Sequence, residues 1–410
     1  MIRTRHNPLP ESHPGTRVTT CPECALPQKL PALSPRIRAL RCQRCDRVLR
    51  RFHPDSLDRT LAMVVTGSIL LTMAILLPFL TLELNGQLHE ITLGTGVATL
   101  YQSGSWELAT LVLLTSIVAP LLNQAGQIYV LLPLRLGIIP RHAGHIWRRV
   151  LTIGPWSMLE VYLLGVLVAY VKLAQMATVT PGPALFCFTA AMLSMIVGQY
   201  YLDPDLLWSR MPVADPPASP TRQCPLCGLE ATSHAQPCRR CGLHPGHDKP
   251  DSLNRTWAWV ITAAILYIPA NLLPIMTVIR VGQKQSDTIL SGVAHLANSG
   301  MWLLALVVFV ASILVPILKL LILTGLLLSI HRRQNKHRRQ RTHIYRWIEL
   351  IGRWSMIDIF MISILVAIVD LGEIATIHPG PGAVFFAAVV VVTMLAAEAF
   401  DPRLLWVKND

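Results

Sequence analysis

The sequence predicts an all-α polytopic membrane protein, built from two tandem four-helix transmembrane modules (eight spans), with a small four-cysteine ribbon before each module. Three observations lead to this prediction. Of the 410 residues, 52% are hydrophobic and only 14% are charged, which is typical of a polytopic membrane protein. The two halves of the chain repeat one another, and eight of the nine cysteines form four C-x-x-C pairs.

The repeat consists of short motifs that recur in the same order in both halves. Such self-similarity indicates that one structural unit occurs twice. The motif pairs are DSLDRT (55–60) and DSLNRT (251–256), GVATLYQSGSW (96–106) and GVAHLANSGMW (292–302), IGPWSM (153–158) and IGRWSM (351–356), PGP (181–183 and 379–381), and DPDLLW (203–208) and DPRLLW (401–406).

Each copy contains four apolar runs that reach or approach the ~20 residues needed to cross a bilayer. An even number of spans per copy inserts both copies in the same orientation, so the repeat is parallel rather than inverted. The predicted spans are 61–80, 106–132, 156–178 and 184–201 in the first copy, and 257–279, 301–330, 354–376 and 383–400 in the second.

The charges between the apolar runs predict the orientation of the chain. The segment 331–353 is rich in Lys and Arg and the matching segment 133–153 carries several Arg, whereas 81–105 carries neither. By the positive-inside rule, both termini and both cysteine ribbons are expected in the cytoplasm. The formal net charge of +13 has the same origin, so nucleic-acid binding is not needed to explain it.

These patterns divide the chain into six segments. They are a disordered N-terminus (1–20), a first cytoplasmic ribbon (21–54), a first transmembrane module of four spans (55–208), a linker (209–223), a second cytoplasmic ribbon (224–248) and a second transmembrane module of four spans (249–406).

The C-x-x-C pairs have the spacing of structural metal sites. Four thiolates suit a tetrahedral zinc ion and leave no open position for catalysis, so we expect two zinc ribbons, each with one structural Zn²⁺ site. Disulfides are disfavoured in the cytoplasm, while redox chemistry and an iron–sulfur or regulatory metal stay as alternatives. The first ribbon lacks the glycines that follow the second ribbon's pairs, so its metal loading is left open. The predicted ligands are Cys21, Cys24, Cys42, Cys45, Cys224, Cys227, Cys238 and Cys241.

Acidic residues lie inside two matching apolar runs. Asp358 follows RWSMI, and Glu160 occupies the same position after PWSML. A charge at membrane depth costs ~2.5–3.5 kcal/mol on insertion scales and calls for a partner on a neighbouring span. Lys319, the only basic residue deep in 301–330, is the expected partner of Asp358. The predicted polar cluster is Lys319, Asp358, Ser312, Ser355, Thr393 and Glu160.

Three interpretations of the Lys319–Asp358 pair compete. It is a buried pair that fixes helix packing, a proton-binding pair that switches during transport, or two side chains solvated near a membrane interface. The sequence contains no G-x-x-x-x-G-K-[ST] motif, which favours an ion-coupled or passive device over an ATPase.

Together the motifs S-L-[DN]-R-T, L-L-P, G-x-W-S-M-[ILV]-[DE] and D-P-x-L-L-W resemble the paraquat-inducible protein A family (PqiA/LetA type). The resemblance extends from Cys21 to Trp406, and the second module, with ILSGVAHLANSG and SILVPILK, is most similar to the LetA type. It implies a multi-pass protein of the bacterial inner (cytoplasmic) membrane. It also implies a periplasmic MCE-domain partner that forms a tunnel, and movement of membrane lipids between the two membranes.

The expected function is therefore that of an inner-membrane component of intermembrane lipid transport, handling lipid for or from the MCE-domain tunnel protein. Proton coupling through Lys319 and Asp358 is expected, and neither enzyme activity nor a nucleic-acid partner is. Two other functions stay open: a non-transporting membrane scaffold that anchors and assembles the periplasmic partner, and a small-molecule efflux carrier.

Overall fold

The chain folds into two similar helical modules and two small ribbons. The computed structural model describes residues 17–30, 39–51, 53, 55–84, 87–173, 178–211, 222–224, 226–231, 237–243, 249, 251–280, 283–332, 334, 337–369 and 375–406. The predicted disordered N-terminus, apart from 17–20, and most of the predicted linker lie outside these residues.

The first ribbon consists of two β-hairpins, each of which begins near one C-x-x-C pair. The strands pair as β1 with β2 and β3 with β4, both antiparallel. Their bounds are β1 Arg17–Thr20, β2 Pro27–Leu30, β3 Ala39–Arg41 and β4 Val48–Arg51.

The described residues of the first module form eight α-helices and one three-stranded sheet. A π-helical turn, Leu114–Val118, joins α3 to α4, so that these two helices form one long rod. The bounds are α1 Ser56–Leu76, β5 Leu80–Leu84, β6 Gln87–Ile91, α2 Leu93–Gln102, α3 Trp106–Leu113, α4 Ala119–Arg135, α5 Ala143–Ile153, α6 Leu159–Leu173, β7 Thr178–Pro181, α7 Pro183–Tyr201 and α8 Pro204–Ser209.

The second ribbon and second module repeat this order. The ribbon has the short strands β8 Arg222–Gln223 and β9 Glu230–Ala231, and a second π-helical turn, Val310–Leu314, joins α11 to α12. The module bounds are α9 Ser252–Leu272, β10 Met276–Arg280, β11 Gln283–Asp287, α10 Ile289–Asn298, α11 Trp302–Phe309, α12 Val315–His331, α13 Arg338–Ile351, α14 Ile357–Val369, β12 Ala375–Pro379 and α15 Pro381–Ala399.

The prediction of an all-α fold is corrected by the two sheets. Each is antiparallel, with strand orders β6-β5-β7 and β11-β10-β12. Most strands lie in segments that were predicted as loops, whereas most of β10 lies inside the predicted span 257–279. In the first module, the alternating run LTLELNGQLHEI contains Asn-Gly between two extended segments, a pattern typical of a two-residue hairpin. In each module, the sheet connects the end of the first helix, α1 or α9, with the start of the long helix α7 or α15.

A glycine in each module allows the two chain segments to approach closely at this connection. The backbone N–H of Gly182 donates to Phe79 O at 2.9 Å, and Gly380 donates to Ile275 O at 2.9 Å. A Cβ on Gly182 would overlap the carbonyl oxygen of Pro78, so the repeated P-G-P and L-L-P motifs belong to one close backbone crossing.

Among the described residues, six helices are long and apolar enough to cross a bilayer. The predicted spans 257–279 and 354–376 are not among them: α9 is 21 residues long but less apolar, and α14 has 13 described residues. The six candidates are Ser56–Leu76, Trp106–Arg135, Ala143–Val171, Pro183–Tyr201, Trp302–His331 and Pro381–Ala399.

The two modules pack against each other through α6 and α14, within one continuous apolar core. A Cβ on Gly165 of α6 would lie 2.8 Å from Phe360 Cβ on α14, so the absence of a side chain there allows the helices to approach closely. From Ile357 to Val366, every residue of α14 is buried. The helix that carries Asp358 is therefore the most enclosed part of the molecule.

Candidate functional site

Lys319 lies on α12, shortly after the π-helical turn, and is only 3% exposed. Its ammonium donates to Gly352 O at 2.8 Å and to Thr393 Oγ1 at 3.2 Å. A buried ammonium has lost its hydration, so fixed oxygen atoms must replace the water. Both acceptors found here are neutral.

Gly352 and Thr393 bring two further elements to the lysine. Gly352 begins the 3₁₀ turn Gly352–Met356 between α13 and α14, and its carbonyl also accepts from Ser355 Oγ at 3.0 Å. The hydroxyl of Thr393 on α15 in turn donates a hydrogen bond to Val390 O at 2.9 Å. A Cβ on Gly352 would lie 2.6 Å from Lys319 Cε, so only glycine leaves room for this side chain.

The expected pairing of Lys319 with Asp358 stays a prediction. The ion pairs given for the described residues do not include these two, and the hydrogen bonds of the lysine go to Gly352 and Thr393. Gly352 precedes α14, whereas Asp358 lies within the first turn of α14. Asp358 is 2% exposed, so the second module contains two buried ionisable side chains.

Ser312 is fully buried, but its hydroxyl donates to Val308 O at 2.6 Å within its own helix. The sequence argument placed Ser312 and Lys319 on one helical face because they are seven residues apart. The π-helical turn between them adds a residue to the turn, which rotates the following face by about 100°. This turn, repeated in both modules before Pro120 and Pro316, has no reliable sequence signal.

Glu160 lies apart from the other predicted residues. It is exposed, at the start of α6 in the first module. Asn123 occupies the position of Lys319 there, and a Cβ on Gly154 would lie 3.3 Å from Asn123 Nδ2. In both modules, a glycine therefore lies next to a side chain of the long helix, on α4 in the first module and on α12 in the second. Only in the second module is that side chain a cation, Lys319.

A cavity of about 170 Å³ reaches Lys319 from the face where α13 and α15 meet the first module. Glu349 and Glu398 contribute carboxylates to its wall, and Pro155 and Trp156 close it from the first module. The cavity connects the buried ammonium to two exposed acidic side chains, which is an arrangement able to relay protons.

The eight paired cysteines form two buried clusters, in each of which four Sγ atoms lie within 4.8 Å of one another. The closest approaches of two Sγ atoms are 3.5 Å between Cys21 and Cys45 in the first cluster and 3.5 Å between Cys227 and Cys238 in the second. A disulfide needs about 2.05 Å, whereas four sulfurs at about 2.3 Å from a zinc ion stand about 3.8 Å apart. Both clusters therefore fit a tetrahedral metal ion.

The backbone around the first cluster shows how the missing glycines are replaced. Ala25 and Asp46 adopt left-handed φ values of 54° and 61°, where the second ribbon has Gly228 and Gly242 at 67° and 68°. A non-glycine residue costs ~1–2 kcal/mol in this conformation. Burial, together with a hydrogen bond from Cys21, raises the pKa of the Cys45 thiol to about 12.

The first ribbon docks on the second module. Glu23 is buried and pairs with Arg47 of its own ribbon and with Arg346 of α13. Arg346 also donates from Nε to Glu23 Oε2 at 2.8 Å and from its terminal nitrogen to Cys45 O at 2.9 Å. The guanidinium of Arg44 stacks over Trp406 at 4.8 Å.

The second ribbon docks on the first module. Its four cysteines share an apolar cluster with Trp147 of α5 and Trp208 of α8. Gly144 of α5 lies against the carbonyl oxygen of Arg240, where a Cβ would overlap it. The ribbons are thus crossed: each docks on the module of the other repeat. This arrangement was not predicted, because its contacts join residues that are roughly a hundred or more positions apart in the sequence.

Comparison with known proteins identifies the family. The sequence model described as paraquat-inducible protein A matches residues 57–212 and 253–410, which are the two modules. The chain belongs to the paraquat-inducible protein A family. Two Escherichia coli K12 members are each 33% identical: the intermembrane transport protein PqiA over 97% of both chains, and the lipophilic envelope-spanning tunnel protein A over 94% of this chain and 90% of the relative. No solved structure matches the chain.

A probable intermembrane transport protein of Haemophilus influenzae is 29% identical over 96% of both chains. Equal identity to the two E. coli proteins does not separate the PqiA type from the LetA type. Six apolar helices and membership of this family make the chain a multi-pass membrane protein of the bacterial envelope, in which the tandem repeat is confirmed.

Proposed function

We propose that the chain is the inner-membrane component of an intermembrane lipid transport system, with both termini and both ribbons in the cytoplasm. Its eight predicted spans handle lipid for or from a periplasmic MCE-domain tunnel protein, and each ribbon holds a structural Zn²⁺ ion. The family relatives' names as intermembrane transport and envelope-spanning tunnel proteins support transport between membranes. The buried Lys319 supports proton coupling.

Lys319 carries the mechanistic part of this proposal. A lysine kept only for packing gains nothing from a cavity leading to it, yet the 170 Å³ cavity ends at this ammonium and is lined by Glu349 and Glu398. In the proposed cycle, Lys319 binds a proton while it donates to Gly352 O and Thr393 Oγ1, and loses the proton when those acceptors move. Asp358 is a second proton-binding group on the adjoining helix, and Gly352 couples both to α13.

The test is lipid transfer from proteoliposomes that contain the chain and its periplasmic partner, measured with and without an imposed pH gradient. We expect Lys319→Met and Asp358→Asn to abolish the gradient-dependent part of the rate while the partner still co-purifies. Lys249→Met is the matched control, because Lys249 also donates to two carbonyl oxygens, those of Glu398 and Phe400, but at the end of α15. Full gradient dependence in both site variants contradicts the proposal.

The scaffold function gives the opposite pattern in the same experiment. A chain that only anchors the partner does not transfer lipid itself. Substitutions of Lys319 then lower lipid transfer only when they also reduce co-purification of the partner.

A further inference from the structure

The first module contains a larger cavity, about 300 Å³, that the proposed proton pathway does not use. It lies between α4, α5 and α7 at the start of α6, and its polar wall includes Asn123, Gln127, Glu160 and Gln199. A volume of about 300 Å³ is at the lower limit for small-molecule sites. The space is therefore large enough for a polar head group and too small for a whole lipid.

Two features of the wall indicate a built site. Gln127 Nε2 donates to Asn123 Oδ1, which fixes both amides on the same face of α4. Trp147, only 1% exposed, lines the cavity, and its indole N–H has no hydrogen-bond acceptor in the structure. A buried donor without an acceptor costs ~1–3 kcal/mol, so a rotation of the indole that brings this N–H to a ligand oxygen in the cavity is stabilising.

In the second module, the residues that correspond to this polar wall are different. Tyr345 occupies the place of Trp147, and its hydroxyl donates to Ala397 O at 2.9 Å. Leu323 and the buried Asp358 stand where the first module has Gln127 and the exposed Glu160. The polar wall is thus specific to the first module and is not a general property of the repeat.

The charge of the cavity selects the ligand. Among the described residues that line the cavity, Glu160 is the only charged one, and none is Lys or Arg. A lone exposed carboxylate favours a cation that can donate hydrogen bonds, such as a primary ammonium, and disfavours an anionic head group. The amides and the indole N–H are left for neutral or phosphate oxygens on the same molecule.

The apolar side of the cavity continues onto the outer face of the module. Met192, Met195 and Ile196 of α7 form this side, and Leu193 and Val197 of the same helix are exposed next to them. An acyl chain can lie along this face while its head group occupies the cavity. A free amine would leave the apolar wall uncovered.

We propose that this cavity binds the head group of an aminophospholipid, with the primary ammonium at Glu160 and lipid oxygens at Trp147 and the amides. The inference rests on the proposed lipid-handling function and names its substrate class. The site lies where the amphipathic α5 leads into α6, which the proposed orientation places at the cytoplasmic leaflet. Binding is measurable without transport, so its failure is distinguishable from failure of the transport proposal.

The test is native mass spectrometry of the full chain after equilibration with equal amounts of phosphatidylethanolamine, phosphatidylcholine and phosphatidylglycerol. We expect a preference of about fivefold or more for phosphatidylethanolamine, because the quaternary ammonium of phosphatidylcholine cannot donate hydrogen bonds. Glu160→Gln is expected to reduce the preference to about one, and Trp147→Phe to lower occupancy while keeping some preference. Glu107→Gln removes an exposed carboxylate elsewhere in the module and is expected to change nothing.

Three results overturn the proposal: wild-type protein without a preference, a preference that survives Glu160→Gln, and complete displacement of the lipid by millimolar free ethanolamine. The last result shows a soluble amine site instead. Melting temperature and metal content of each variant, compared with wild type, distinguish loss of the site from loss of the fold.

Discussion

Arg346→Ala gives the sharpest test of the crossed ribbons. The arginine joins α13 to the first ribbon by hydrogen bonds to the Glu23 carboxylate and to Cys45 O. The Glu23 side chain is 6% exposed, whereas that of Arg346 is 25% exposed. Removal of one partner from a buried charge pair costs ~3–5 kcal/mol, and the remaining pair of Glu23 with Arg47 places the expected loss at the lower end, about 3 kcal/mol.

A loss of about 3 kcal/mol corresponds to roughly a 100-fold increase in the opening of the ribbon interface. Amide hydrogen exchange of residues 39–51 in the full chain measures that opening directly. Arg339→Ala is the matched control on the same helix: its ion pair with Asp46 spans 3.8 Å, and the two side chains are 60% and 34% exposed, so a loss of ~0–1 kcal/mol is expected.

Equal exchange in the two variants refutes the argument from burial. Faster exchange of the second ribbon, residues 222–231, in Arg346→Ala would contradict the crossed docking, because that ribbon contacts the first module instead.

Three further predictions follow from the geometry. Chelation of bound metal is expected to unfold both ribbons while the module helices persist, visible as loss of exchange protection at 39–51 and 222–231; retained protection without metal would contradict a metal-held fold. Gly352→Ala is expected to reduce gradient-dependent lipid transfer at least tenfold, because the new Cβ would lie 2.6 Å from Lys319 Cε. The control is Gly154→Ala, whose Cβ would lie 3.3 Å from Asn123 Nδ2 and which is expected to be tolerated. Equal effects of the two substitutions on lipid transfer would refute the steric argument. Gly182→Ala is expected to lower the melting temperature by several degrees through its clash with Pro78 O, while Gly292→Ala, which has nothing within 4 Å, serves as a control that leaves it unchanged.

The parts of the fold that depend on local pattern were predictable from the sequence. The repeat and the four-cysteine clusters are confirmed, and the predicted span 184–201 differs by one residue from the helix Pro183–Tyr201. These features depend on composition, spacing and hydrophobic runs, which are all visible along the chain.

The sheets were missed for a different reason. β5 and β10 each pair with a strand that lies about a hundred residues later, before the last helix of the module. Such pairing has no signal along the chain beyond a short alternating run. The Asn-Gly pair in the sequence LTLELNGQLHEI was the one available indication.

Part of the candidate site was predictable, and part was not. Lys319 donates to Thr393, and Lys319 and Ser355 share Gly352 O as an acceptor, because a polar side chain in an apolar run needs a partner inside the module. The pairing of Lys319 with Asp358 stays a prediction, and the sequence did not indicate that the backbone carbonyl of Gly352 accepts from the lysine. Backbone acceptors at helix junctions depend on the three-dimensional path of the chain and leave no trace in residue types.

The proposed mechanism depends most on proton binding by Lys319 during lipid movement. The direct measurement uses proteoliposomes loaded with a pH-sensitive dye, in which proton flux and lipid transfer to an acceptor are recorded together. We expect a proton flux that starts only when the acceptor is added and that disappears in Lys319→Met. Lipid transfer at the wild-type rate without any proton flux would contradict proton coupling through Lys319.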